Sequence, residues 1–293
     1  MNSRQILRKT VITYLGSVLF GLTGTGSIYS QQVTYTGSLQ YSTGSYFFTE
    51  RTKSLYFVNG FALSGEYGRI SLNVPYVIQS SPWVSYSPEG GLPTGGMQHG
   101  KVGRQGSTGM MRQDTNRQRR HRVDLSDTTS YRTSSFSDPG INGAIFLYGR
   151  TGGSTSINLN TSIKIPMANP NNGFGTGAWD FGAGLSIFQS MRTFFLFGDA
   201  TYIWLGDMDE LKLNNAVFFN TGVSRLFANR KWMASASISG STQIIEDFDP
   251  PKNLNFSIGH FLSVKNSLSG TMSFGLTESS SDFSLGVGWS IRF

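Results

Sequence analysis

The sequence predicts an all-β protein, a transmembrane antiparallel up-and-down β-barrel of about twelve strands with a long glycine- and arginine-rich external insert. Three observations lead there. Bulky apolar side chains alternate with small or polar ones in segment after segment, which gives each strand one greasy face and one wet face. No apolar run reaches the roughly 18 residues that a membrane-crossing helix needs. The segments between alternating stretches are short and long by turns, as periplasmic turns and external loops are in such barrels.

Composition agrees with that class. Charged residues are only 14%, aromatics reach 13% and there are 36 glycines, yet mean hydropathy is -0.18. An apolar exterior averaged against a polar lumen produces this balance. Cysteine is absent, which excludes disulfides, thiolate metal sites and a cysteine nucleophile. The net charge is +7, but Arg4, Arg8 and Lys9 lie in the first ten residues and much of the remainder is clustered in the insert. Nucleic acid is therefore not an expected partner.

Those three cations precede the apolar stretch Val11 to Leu22, and small residues follow around Gly24 to Ser30. This order reads as a secretory signal over residues 1–30, cleaved between Gly26 and Ser30, with the barrel occupying 31–293. Export to the outer membrane of a Gram-negative cell is the expectation.

The strands follow in order. Val33, Tyr35, Leu39 and Tyr41 alternate with Thr34, Thr36, Ser38 and Gln40; Leu55, Phe57, Phe61 and Leu63 share one side of the second strand. Ile70, Leu72, Val74, Tyr76 and Ile78 define the third, in which Pro75 cannot donate to a ladder and so marks a strand end, bulge or rim. Strands four and five run from Ile141 to Gly149 and through Ile157, Leu159, Ile163 and Ile165. The sixth sets Trp179, Phe181, Ala183, Leu185 and Ile187 against Asp180, Gly182, Gly184 and Ser186, and the seventh sets Phe194, Leu196, Ala200, Tyr202 and Trp204 against Asp199. Val217, Phe219 and Val223 mark the eighth; Trp232, Ala234, Ala236 and Ile238 alternate with serines in the ninth. Leu254, Phe256, Ile258, Leu262 and Val264 define the tenth, Leu268, Met272, Phe274 and Leu276 the eleventh, and Phe283 to Phe293 alternates without error to an aromatic C-terminus. Each segment is near the 9 to 11 residues of a tilted transmembrane strand, and such a C-terminal strand is the expected handle for the barrel-assembly machinery.

Tiny turns at Gly65, Gly152, Gln189, Asn229 and Asn266 are placed in the periplasm. Longer polar loops, about 42–51, 79–140, 166–177, 206–213, 243–252 and 278–282, are placed outside. The insert 79–140 has no sustained period, and its composition predicts that it cannot fold alone. Its Arg112, Arg117, Arg119, Arg120 and Arg122 allow three readings: a solvated external loop, an inward constriction or plug attracting anions, or a surface for lipopolysaccharide phosphates.

Putting the polar phase inward places Arg69, Asn73, Asn158, Asn160, Lys164, Asp180, Asp199 and Asn220 in or near the lumen. These side chains either set ion preference or pair structurally, as Lys164 with Asp180. The three histidines, His99, His121 and His260, support no metal cluster, and no cofactor is expected. No catalytic constellation stands out: His260 lies on the apolar phase of its strand, without a serine or asparagine neighbourhood that would make it a hydrolase dyad. An enzyme is not expected.

Four short segments carry a resemblance: Ile70-Ser71-Leu72-Asn73-Val74-Pro75-Tyr76-Val77, Pro139-Gly140-Ile141-Asn142-Gly143, Ile163-Lys164-Ile165-Pro166 and Gly175-Thr176-Gly177-Ala178-Trp179-Asp180-Phe181-Gly182. Together they resemble the outer-membrane transporters of the MetA-pathway of phenol degradation family. Asn142 stands where that family more often has Asp, and Met167-Ala168-Asn169 replaces its Thr-Gly-Asp. The resemblance implies an outer-membrane channel for passive uptake of small, hydrophobic or aromatic solutes. The competing reading is a structural or adhesive barrel that acts through its external loops. Outer-membrane lipids, lipopolysaccharide and a small solute are the expected partners.

Overall fold

The computed structural model describes residues 31–87, 90–108, 123–125, 133–149, 154–170, 173–208 and 211–293. Twelve antiparallel strands close into a barrel: β1 (Gln32–Gly44), β2 (Thr52–Ser64), β3 (Gly68–Gln79), β7 (Gly140–Tyr148), β8 (Thr155–Lys164), β9 (Asp180–Met191), β10 (Phe194–Trp204), β11 (Ala216–Phe227), β12 (Trp232–Ser241), β13 (Lys252–Phe261), β14 (Asn266–Gly275) and β15 (Phe283–Arg292). Between β3 and β7 lie the hairpin β4 (Ser85–Ser87) and β5 (Gly90–Leu92), the helix α1 (His99–Thr108) and β6 (Thr133–Phe136).

Closure is made by β1, which pairs with β2 from Gln32↔Ser64 to Gly44↔Thr52 and with β15 from Thr34↔Arg292 to Thr43↔Phe283. Apart from the β3–β7 seam, the other neighbours in the wall are consecutive in sequence, and their ladders pair the backbone polar groups that lipid would leave unsatisfied. The seam between β3 and β7 is the irregular place. From Gly68 to Asn73 β3 pairs with β7, and from Tyr76 to Gln79 it pairs with β6. Pro75 sits where the partner changes; lacking an N–H, it contributes only its carbonyl, which accepts from Ser137 N at 3.0 Å.

The alternation read from the sequence holds in three dimensions. Leu39, Leu55, Leu72, Leu185, Leu196, Ile238, Ile258 and Val287 are exposed on the outside of the wall. Rings gather towards both ends of this belt, Trp179, Phe181, Tyr202 and Trp204 near the loop end and Phe194, Phe227 and Trp232 near the turn end. Aromatic girdles of this kind flank the apolar band of membrane barrels. Trp289 lies across Gly37 of the neighbouring strand, where a Cβ would collide with the indole, so the bare backbone is what makes room for the ring. His260 is outward as expected, stacked on Trp232 with centroids 4.1 Å apart.

Turn and loop alternation follows the sequence reading, with local corrections. The turn expected at Gln189 falls at Arg192–Thr193, because β9 continues to Met191 and pairs Phe194↔Met191; the one expected at Asn266 falls at 262–265. Arg192 takes a left-handed backbone, φ 58°, which is what so tight a turn requires. The expected Gly152 turn lies outside the described residues.

The larger correction concerns the long loops. Instead of solvated polar connections, their described parts interlock in one apolar core at the loop end. Phe47 and Phe48 from the β1–β2 loop, Trp83, Val84, Tyr86, Leu92 and Val102 from the insert, Phe174 from the β8–β9 loop, Met208, Leu211 and Leu213 from the β10–β11 loop, and Ile244 and Ile245 from the β12–β13 loop are all buried in it. Phe47 stacks on Phe248 at 3.9 Å, and Phe48 and Val123 form a parallel bridge. The described parts of 79–140 fold in company with the other loops: beyond the membrane these residues meet water, and burial of large apolar side chains against one another stabilises by about 1.5–3 kcal/mol each.

Candidate solute path

A cavity of about 1040 Å³ occupies the lumen. It reaches from Tyr46, Tyr86 and the β4–β5 hairpin at the loop end to Arg69, Ser224, Met233 and Ser235 in the turn-side half. Strand parity builds its wall, since each inward position of β12 between Met233 and Ser241 is a serine and β13 answers with Asn253, Asn255 and Ser257. Their hydrogen bonds run sideways along the wall. Asn255 donates to Ser239 Oγ at 2.9 Å and accepts from Ser273 Oγ at 2.7 Å; on the same inner face but away from the cavity, Asn158 donates to Ser186 Oγ at 3.2 Å.

At the loop end the cavity meets Tyr86, whose ring stacks on Tyr56 at 5.1 Å and whose hydroxyl lies 3.4 Å from Ser42 Oγ. Burial pushes the phenol pKa values of both Tyr46 and Tyr86 up, so both keep their protons at neutral pH. The hairpin is anchored to the outer loops by Ser85 Oγ donating to Gly175 O at 3.3 Å and Ser137 Oγ donating to Tyr86 O at 2.7 Å.

The expected lumen residues separate into three groups. Arg69, Asn160, Asp199 and Asn220 line the cavity, with Asn220 donating to Asp199 Oδ1 at 3.4 Å. Asn73 and Asn158 are off its wall; the Asn73 carboxamide lies over Gly60, which has no side chain to oppose it. Lys164 and Asp180 do not line the cavity, although they stand on the inward phase of their strands. They are paired by register at the loop end of β8 and β9, and Lys164 is only 1% exposed.

Their ion pair is part of a buried cluster. Lys164 Nζ is 2.6 Å from Asp180 Oδ2 and 3.9 Å from Asp138 Oδ2, and it also donates to the Thr176 hydroxyl. Asp138 accepts from the N–H groups of Met167 at 2.9 Å, Ala168 at 2.8 Å and Thr176 at 3.3 Å, while Asp180 accepts from Gly206 N at 2.9 Å. Two carboxylates thus share one ammonium, and backbone donors offset the excess. Burial raises the Asp138 pKa, opposed by the Ala168 N–H and the Lys164 charge. Gly175 is obligatory here, since a Cβ would run into the Asp138 carboxylate. The cluster ties the starts of β7 and β9 to the end of β8 and to the loops over them, and so holds the rim of the path.

Asp138 escaped the sequence reading, although it immediately precedes the Pro139-Gly140 pair; so did Tyr46, Tyr86 and the Asn255 ladder. The ladder had a signal, because β12 and β13 place hydroxyl and amide groups opposite one another at every second residue. The tyrosines had none, since they reach the lumen through non-local packing. The arginines Arg112, Arg117, Arg119, Arg120 and Arg122 lie outside the described residues. Among the described residues no group of three or more His, Asp or Glu could hold a metal ion.

Neither a family model nor a curated protein matches the chain. Solved structures do. The COG4313 outer membrane channel from Pseudomonas putida F1 superposes with a TM-score of 0.61 at 9% identity, covering 92% of this chain and 98% of that one. The NanC porin gives a TM-score of 0.49 at 6% identity, covering 89% and 100%. At these identities the likeness is one of fold, and the first superposition places the closed twelve-stranded barrel among known architectures.

Proposed function

We propose that the protein is an outer-membrane channel for the passive passage of small solutes. The observation that carries this reading is the combination of an apolar outer belt between aromatic girdles with a polar lumen cavity running along the inside of the same wall. Solute movement then needs no catalytic residue, only width and wall chemistry. Arg69, Asp199 and Asn220 are the expected wall residues that act on a solute, whereas Lys164, Asp180 and Asn73 act on the barrel. The motif resemblance extends the proposal to small hydrophobic or aromatic compounds, for which inward rings such as Phe197 offer a stacking surface.

The partners follow as proposals from the same reading: phospholipid and lipopolysaccharide around the belt, the insert arginines towards lipopolysaccharide phosphates, and the assembly machinery at β15. A signal over residues 1–30 supplies export.

One observation favours the second reading, a barrel that acts through its outer surface: the loop end is filled by an apolar core rather than left open. Single-channel recording in planar bilayers decides between them. Discrete conductance steps are expected from the full-length mature chain, larger when 90–122 is deleted. Silence from both forms would leave the outer-surface reading.

A further inference from the structure

We infer that the solute this lumen suits is neutral and polyhydroxylated, of polyol or small-saccharide size; the inference rests on the channel reading and sets the wall chemistry against the hydrophobic or aromatic class that the motif resemblance suggests. Among the described residues lining the cavity, Arg69 and Asp199 are the only charged ones. They are of opposite sign and at different levels, one near the turn end of β3 and the other midway along β10. A permeating ion would give up hydration in this wall without finding a ring of countercharge, which is the device that selective ion pores use.

What the wall does offer is hydroxyl and amide groups on a regular grid. Each serine carries one donor and two lone pairs, so the single sideways bond that Ser239 or Ser273 makes with Asn255 leaves capacity for a solute. Beside this grid Phe197 projects into the cavity from β10, an apolar face on which the C–H side of a sugar or polyol packs while its hydroxyls bond to the serines. The two buried phenols, Tyr46 and Tyr86, supply further protonated hydroxyls at the loop end. A cavity of about 1040 Å³ is at the upper end of the roughly 300–1,000 Å³ typical of small-molecule sites.

The test uses the mature chain in liposomes and three probes of similar size, neutral sorbitol, anionic gluconate and cationic N-methylglucamine, with entry followed by osmotic swelling. Sorbitol is expected to enter faster than either ion. Asn255→Leu, which keeps the branched shape without the hydrogen-bonding groups, should slow sorbitol about fivefold by removing hydrogen bonds along the path, a larger factor than any change it makes in potassium chloride conductance. Ser237→Asp should raise N-methylglucamine entry relative to sorbitol. Potassium chloride conductance without sorbitol entry, or an ion entering as fast as sorbitol, overturns the solute class and leaves the channel standing. No conductance together with no swelling overturns both.

Discussion

The membrane-embedded part of the barrel and its loop end obey opposite polarity rules. In the wall, apolar side chains point outward and serines, threonines and asparagines point inward; at the loop end Trp83, Phe48, Phe174 and Leu211 point inward and are buried. The difference follows from what lies outside each region. Acyl chains reward an apolar exterior at no cost in packing, whereas the loops stand in water and can hide their apolar groups only against each other. One chain therefore has two cores, a hydrogen-bonded lumen and an apolar cap.

Breaking the cap is expected to have the largest effect. Trp83→Ala removes a side chain that is 1% exposed and should cost the loop end about 3–5 kcal/mol, with the twelve-strand wall intact. Limited proteolysis within 79–140 should accelerate sharply while heat-modifiable migration on gels stays unchanged. Loss of the folded barrel itself would show that the two regions are not separable.

The ion cluster joins the regions, and disturbing it should come next. Lys164→Met leaves Asp138 and Asp180 buried without their cation and is expected to cost about 3–5 kcal/mol in thermal unfolding; adding Asp180→Leu should recover part of that loss. The same cluster makes a pH prediction. The folded pKa of Asp138 is raised, so its ionised form is disfavoured in the folded state. The resulting destabilisation is absent below the ordinary carboxyl range and sets in as pH rises through the folded pKa. The stability of the wild type relative to Asp138→Asn should therefore fall from pH 4 towards pH 7, and a rise over that interval would contradict the assignment.

Smaller effects are expected on the outer surface. Gly37→Val forces the Trp289 ring aside and should cost about 1–3 kcal/mol, read as a lowered barrel melting temperature. Asp282→Ala breaks only an exposed pair, Arg51 Nη2 to Asp282 Oδ2 at 2.7 Å, and should cost less than about 1 kcal/mol.

The same contrast explains what the sequence could show. Strand alternation is local, so β9, β10 and β15 could be read with the correct faces from their own residues, and the outward placement of His260 with them. The cap could not, because Trp83, Leu92 and Val102 share no period and are buried among residues from several loops. Lys164 and Asp180 were legible as neighbours on adjacent strands, but not as buried, because their burial depends on Asp138 and on the chain around Thr176 folding over them. The polar phase of β12 and β13 was visible in the sequence, while Asn255's place in a continuous grid required the register.

Because the natural chain contains no cysteine, single cysteines report cleanly on the wall. With the protein in lipid bilayers, Ser235→Cys and Ser237→Cys should react with a membrane-impermeant, water-borne thiol reagent, and Ala236→Cys and Ile238→Cys should resist it while remaining open to a lipid-soluble one. That strict two-residue alternation is the result expected of a wet lumen behind a lipid-facing wall. Equal labelling of all four positions, or the reverse alternation, would contradict it.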